Sequence, residues 1–316
     1  MKTPGEINRY VDQLIPYSAL PDRPPLEWPG KAKLALLIIP NVEIYEYLPP
    51  FNPVKNPYPR FGSHPDIGWY SHREYGNRVG FWRMLELFDR FQLPVTVSLS
   101  LRILDLLPEI RDAMLERDWE IMSHGLDNTQ YLYGVPEEEE RIYHEQTQEI
   151  ALRHLGRRLK GFLAPAFTST VKTPELLAAA GYEYCMDWFI DDQPFPMRTP
   201  CGPLVGVPYA KDINDAFAFG GHPYFAYDAE TFFQMARDQF DCLYEEGGRV
   251  MTVALHPYLS SQPYRQRHLE RMLEYMLSRP GVWATQAWHV AEHFRKHYFD
   301  EWDGRSVDLK GEGYDL

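Results

Sequence analysis

Cysteine is scarce: 316 residues carry three, Cys185, Cys201 and Cys242, and none stands in a C-x-x-C spacing. An odd number of unspaced thiols argues against a disulfide framework or a zinc finger and fits a reducing compartment. Long apolar runs are missing as well. No stretch of 18 apolar residues occurs, and the N-terminus lacks the apolar block and small-residue cleavage site of a secretory leader, so a cytoplasmic protein with no membrane role is expected. Positive charge is also short. With 32 Lys and Arg against 45 Asp and Glu, the net charge of -13 repels phosphate backbones and anionic lipids. Nucleic acid and membrane are therefore not expected as partners, and a small-molecule substrate is. The usual signatures of rival chemistries are absent too: there is no G-x-S-x-G elbow, P-loop, G-x-G-x-x-G or H-E-x-x-H.

Aromatic residues, at 15%, and 27 prolines are plentiful, many of them in the stretch YEYLPPFNPVKNPYPRFG. Rigid, aromatic-lined loops suit a concave site for an organic ligand, or simply pack on a rim. Residues 1–30 are Pro-rich and weakly periodic, and read as an arm wrapping the fold or a neighbouring subunit; with the aromatic loops they make a homo-oligomer the expected state. Residues 31–300 read as one barrel and 301–316 as a tail. From Lys33 onward short apolar runs alternate with amphipathic stretches, the pattern of successive βα units. Seven or eight strands are expected, at 34–40, 95–100, 119–124, 161–166, 182–188, 204–209, 250–256 and 282–286. Helices are expected at 79–91, 103–117, 136–155, 173–180, 229–246 and 264–278. The connection from Asn41 to Asn77 exceeds an ordinary βα loop and is expected to cover the barrel mouth.

Several apolar runs end in a polar or special residue: Asn41, Ser98 or Ser100, His124, Pro165, Asp187, Tyr209 and His256. In a parallel barrel these ends converge on one face, where active sites are built. His124 can present a ring nitrogen to a metal or substrate, and Asn128, four residues on, a carbonyl oxygen. His256 precedes a proline that fixes its backbone, and an imidazole there suits proton transfer to a departing nitrogen. Aspartates cluster at Asp187, Asp191 and Asp192 and again at Asp212 and Asp215, where each could orient a histidine, bind a cation, meet ureido nitrogens or cap its own turn. Asp187 joins the catalytic candidates. Asp191, Asp212, Asn214, Asp215 and Tyr258 are the substrate-binding candidates, with the segments from Ile44 to Tyr75 and from Asn214 to Tyr227 shaping the pocket.

In order, NVE at 41–43, REYGNRVGFWRMLELFDRF at 73–91, SHGLDN at 123–128, GFLAPAF at 161–167, DDQPF at 191–195 and LHPYLSSQPYR at 255–265 resemble the polysaccharide deacetylase (NodB-homology) superfamily. REYGNRVG and HPYxxxQPxR look closest to its allantoinase-like, metal-independent branch. The resemblance implies an α/β fold, a distorted (β/α)7 barrel, that hydrolyses a C–N bond. Carried over, the base position is Asn41, the metal-ligand positions are Glu43, His124 and Asn128, and the acid is His256. Two of these depart from the family pattern. Asn41 has no carboxylate to take a proton, and Asn128 offers zinc a neutral amide where an imidazole is usual. LAPAF also lacks the arginine of the usual segment. The main expectation is hydrolysis of an amide, ureide or cyclic imide, with Glu43, or one of Asp187, Asp191, Asp212 and Asp215, as base and either no cofactor or a weakly bound divalent metal such as zinc. The alternatives are a metal-dependent deacetylase of an acetylated sugar or amine, and a non-catalytic ligand-binding barrel.

Overall fold

The structure, a computed structural model, describes residues 13–47, 67–220 and 227–302. Strand β1, Leu34–Val42, is buried along its whole length, as its unbroken apolar sequence requires of a strand covered on both faces. Around it lie β2 (Thr96–Leu99), β3 (Glu120–Ser123), β4 (Gly161–Phe162), β5 (Tyr184–Cys185), β6 (Phe195–Thr199), β7 (Gly202–Gly206) and β8 (Arg249–Leu255) in the order β6-β7-β5-β4-β3-β2-β1-β8. Strand β9, Val282–Ala284, pairs with the start of β1. All pairings are parallel except that of β6 with β7.

The curled sheet closes past β7, where Asn214 bridges Ala254 of β8 and the Thr252 hydroxyl donates to the Pro208 carbonyl at 2.7 Å. Seven parallel strands thus form the ring of a distorted barrel. Because they run the same way, residues Asn41, His124 and His256, at or just beyond the ends of β1, β3 and β8, meet at one mouth.

Several elements differ from the sequence expectation for local reasons. The helix expected at 103–117 is two helices, Arg102–Leu106 and Pro108–Leu115, because Leu107, which precedes a proline, is driven to φ -130° and ψ 70°. The hairpin strand β6 was not expected; its Pro196 is tolerated because it lies on a sheet edge. A closing helix, Ala287–His297, was likewise not expected. Part of the connection from Asn41 to Asn77 is helical, at Ile67–Tyr75, and residues 48–66 lie outside the described set. Of the N-terminal arm, Leu14, Leu26 and Trp28 are buried, and the Trp28 indole donates to the Arg249 carbonyl at 3.0 Å. No described helix is long and apolar enough to cross a membrane.

One close approach positions the mouth. The helix Ile67–Tyr75 continues through a π-helical turn, Gly76–Gly80, into the helix Phe81–Phe91. The turn lies against the segment after β8, so that a Cβ on Gly80 would sit 2.2 Å from the Pro257 carbonyl oxygen. Only glycine admits this contact between two backbones. Gly80→Ala is expected to destabilise the protein by about 1–3 kcal/mol, the usual cost of overpacking, as read from the denaturation midpoint. An unchanged midpoint would show that the Pro257 backbone gives way freely.

Candidate active site

Glu43, just beyond β1, is the centre of the mouth and is buried. Its Oε1 lies 3.2 Å from His124 Nε2 and 3.5 Å from His256 Nε2. Its Oε2 accepts from the Tyr45 hydroxyl.

Each imidazole is turned by what its other nitrogen meets. His124 Nδ1 is 2.9 Å from the Leu163 carbonyl oxygen, which can only accept, so Nδ1 carries a proton. His256 Nδ1 is 2.6 Å from Oδ1 of Asp215. That carboxylate is fully buried, and its Oδ2 accepts from the His256 backbone N–H at 2.7 Å and from the Ser260 hydroxyl at 2.5 Å. Both Nε2 atoms are therefore presented to one carboxylate oxygen.

The electrostatics follow. Burial alone would lower the His256 pKa, but the charges on Glu43 and Asp215 outweigh it and hold the imidazole up at about 10. Burial alone would raise Glu43, but the facing His256 charge and the hydrogen bonds its oxygens accept hold it well below the usual carboxylate range. At neutral pH the pair is a carboxylate and an imidazolium.

Neighbouring elements frame this pair. The Asn77 amide, in the π-helical turn, donates to the Glu43 backbone carbonyl at 3.0 Å and pins the residue. The Asn128 amide nitrogen donates to the Tyr45 hydroxyl at 2.6 Å, while its Oδ1 is buried without a partner. Burial raises the Tyr45 pKa and the Glu43 charge adds to it, so Tyr45 stays a hydrogen-bond donor. Asn41 donates to the Tyr209 hydroxyl at 2.8 Å and to the Leu255 carbonyl at 3.2 Å. Tyr258 packs edge-on against His256, with ring centres 5.6 Å apart.

At the rim, Phe167 lies 5.8 Å from the Tyr209 ring, held there by left-handed backbone at both Ala166 (φ 46°) and Phe167 (φ 59°). Two successive non-glycine residues in that region cost about 1–3 kcal/mol each and mark a segment fixed by its surroundings.

The structure separates the aspartates that composition had grouped. Asp215 holds the ring and backbone N–H of His256, the histidine-orienting role that was one of those open to it. Asp187 accepts from the Ala164 N–H and the Ser169 hydroxyl, each at 2.8 Å, and so braces the loop after β4. Burial pushes its carboxyl up to about 6. Asp191 lies outside the cluster, paired at 2.7 Å with Arg23 of the N-terminal arm, near Gly248 at the far end of β8. Asp212 is exposed, and Asn214 caps the Ala216 N–H at 2.9 Å. Tyr45, Asn77 and Arg73 were missed as site residues. Tyr45 had one legible signal: it lies two residues beyond Glu43, as Glu43 does beyond Asn41.

The residues implied as zinc ligands do not fit zinc. Asn128 turns its NH2 group to Tyr45, and its oxygen is a neutral amide, which leaves only Glu43 and His124 as strong donors. Among the described residues no group of three or more His, Cys, Asp or Glu side chains is arranged to hold a metal ion.

The distorted barrel matches the polysaccharide-deacetylase type of fold, and sequence comparisons point the same way. No family model matches the chain. A Schizosaccharomyces pombe protein assigned to the polysaccharide deacetylases is 29% identical over 238 residues, covering 69% of this chain and 73% of its own length. The peptidoglycan deacetylase of Helicobacter pylori is 22% identical over 260 residues, covering 70% and 86%. Among solved structures, PuuE allantoinase matches with a TM-score of 0.75 at 28% identity over 87% of this chain and 95% of its own. A Pseudomonas aeruginosa PAO1 protein assigned to the polysaccharide deacetylases matches with a TM-score of 0.77 at 29% identity over 88% and 96%. The chain is thus similar over most of its length to proteins of the polysaccharide deacetylase (NodB-homology) superfamily, with PuuE allantoinase among its structural neighbours.

Asp215 is one of the two anions that hold His256 protonated, and Asp215→Asn removes it. The His256 titration, followed by NMR, is expected to move down from about 10. A titration that stays in place would show that Glu43 alone sets it.

Proposed function

We propose that this protein is a hydrolase acting on a C–N bond other than a peptide bond, in an amide, ureide or cyclic imide of a small molecule. The observation that carries the reading is one carboxylate oxygen, on Glu43, faced by the Nε2 atoms of two histidines whose other nitrogens are occupied. Kinship with deacetylases and an allantoinase supports the same bond class.

In this mechanism the substrate carbonyl and a water enter between Glu43 and the imidazoles. Separating Glu43 from His256 removes the charge that depresses its pKa, and burial then raises the carboxyl toward the strength of a useful base. Glu43 takes a proton from water as the water oxygen bonds to the carbonyl carbon. The Tyr45 hydroxyl, which burial and the Glu43 charge keep protonated, turns from Glu43 to stabilise the oxyanion, while His124, its Nδ1–H spent on the Leu163 carbonyl, accepts a hydrogen bond from the attacking water at Nε2. His256 gives its Nε2 proton to the nitrogen as the C–N bond breaks, the amine departs and an acid remains. Asp215 keeps the His256 ring in place and stabilises its charged form. Asn41 has no group that accepts a proton from water, and on this reading it orients Tyr209 and the β8 carbonyl.

A panel of ureides, cyclic imides and acetylated amines tests the activity. On any compound turned over, Glu43→Gln and His256→Ala are each expected to lower kcat/KM by about 10²- to 10⁴-fold; near-normal rates in both would refute the assignment. The acid is raised, so its proton persists through neutral pH and is lost only as pH climbs through about 10. The alkaline fall in rate belongs there, and a fall near the ordinary imidazole value would contradict a proton donor held by two carboxylates. Treatment with a chelator is expected to leave turnover intact. Stoichiometric zinc whose removal abolishes activity would instead establish the metal-dependent deacetylase.

A further inference from the structure

The roof of the site holds a cation that the hydrolytic steps do not use. Arg73, in the helix Ile67–Tyr75, is half-buried, with its guanidinium 3.6 Å from the Trp69 ring centre, 5.0 Å from that of Tyr45 and 5.5 Å from that of Tyr258. Tyr45 in turn touches Glu43, and Tyr258 packs on His256. The rings satisfy the faces of the guanidinium, but a cation–π contact leaves its in-plane N–H groups free to donate. Nη1 donates to the Trp69 carbonyl of its own helix at 3.3 Å, whereas the Nε–H is buried with no partner at all. Among the described residues no carboxylate pairs with Arg73, whereas Arg23, Arg102 and Arg117 are each paired with one. In a chain carrying a net -13, this arginine meets, besides Trp69, only Tyr45, Tyr258 and the Glu43 charge beside the reacting groups, and its buried Nε–H is left for a ligand to complete.

We propose that Arg73 binds a carboxylate of the substrate, which makes the substrate class an anionic amide or ureide such as an N-acyl or N-carbamoyl amino acid. This rests on the hydrolase reading and adds a direction to it. The Nε–H and an Nη–H form the fork that a carboxylate takes in bidentate fashion. The stacked rings hold the plane of that fork in advance. Of the rings around the fork Tyr258 also packs on His256, which protonates the leaving nitrogen, and the carboxylate is assigned on that ground to the departing amine.

The test compares matched probes: N-acetylglycine and N-acetyl-β-alanine against N-ethylacetamide, and N-carbamoylglycine and N-carbamoyl-β-alanine against N-ethylurea. The wild-type protein is expected to favour a carboxylate-bearing member in kcat/KM. Arg73→Gln should erase about 10- to 100-fold of that preference, mainly through KM, as loss of a charged hydrogen-bond pair does. Arg73→Lys should restore part of it. Binding of the same carboxylates to Glu43→Gln, with and without Arg73→Gln, is measured by calorimetry. Turnover with no preference, or an equal loss on charged and neutral members, would overturn the anion site and leave the hydrolase reading standing. Arg73-dependent binding without turnover of any probe would sink the hydrolase reading and keep the anion site. Neither binding nor turnover of any probe would overturn both for this substrate class.

Discussion

Glu43 between two imidazoles is the contact that the rest of the mouth depends on. A buried carboxylate is costly unless it is paired, and one imidazolium facing it at 3.5 Å supplies the compensating charge. Because the pair is buried, each member's protonation state is written into the other: Glu43 stays ionised because His256 is charged, and His256 stays charged because Glu43 and Asp215 are ionised. A proton donor and a proton acceptor are thereby kept ready together at neutral pH, a state that two isolated side chains of these types would not hold.

The scaffold supports that pair from four directions. Strand β1 delivers Glu43 from the middle of the ring, and Asn77 holds its carbonyl. The Leu163 carbonyl fixes the His124 tautomer from beyond β4, and Asp215 fixes His256 from the segment that closes the barrel onto β8. Asp215 binds both the backbone N–H and the ring of His256 as well as Ser260, so the turn after β8 and the proton donor are positioned by one carboxylate. Barrel closure and orientation of the His256 imidazole are consequently the same structural event.

The sequence carried the parts of this that follow from periodicity. Apolar runs ending in Asn41, His124 and His256 mark parallel strands, and parallel strands bring their ends to one mouth whatever the loops do. Residues whose place depends on the path of a loop were not legible in the same way. Asp191 and Asp215 both stand in Asp-rich stretches that look alike, yet one pairs with Arg23 at the far end of β8 and the other with His256. Nothing in local composition separates them, because the difference lies in which end of the barrel each connection reaches. Arg73 escaped for a related reason. It sits on a short helix, embedded in a long Pro-rich connection, whose own periodicity is too weak to reveal which face turns to the site.

Asn41 and Asn128 acquire a physical meaning from their partners. The Asn41 amide donates to both Tyr209 and the Leu255 carbonyl, and so ties three strands or strand ends together where an acidic residue would stand as a second carboxylate near Glu43. A second carboxylate there would compete with Glu43 for the His256 charge and raise one of the two pKa values. With an amide in its place, Glu43 has the imidazolium to share only with Asp215. Asn128 acts in the same sense: its NH2 donates to Tyr45, which donates to Glu43, so the residue that replaces an imidazole ligand extends the hydrogen-bond chain that keeps Glu43 ionised. Both substitutions move the site away from holding a cation and toward sustaining one buried carboxylate–imidazolium pair.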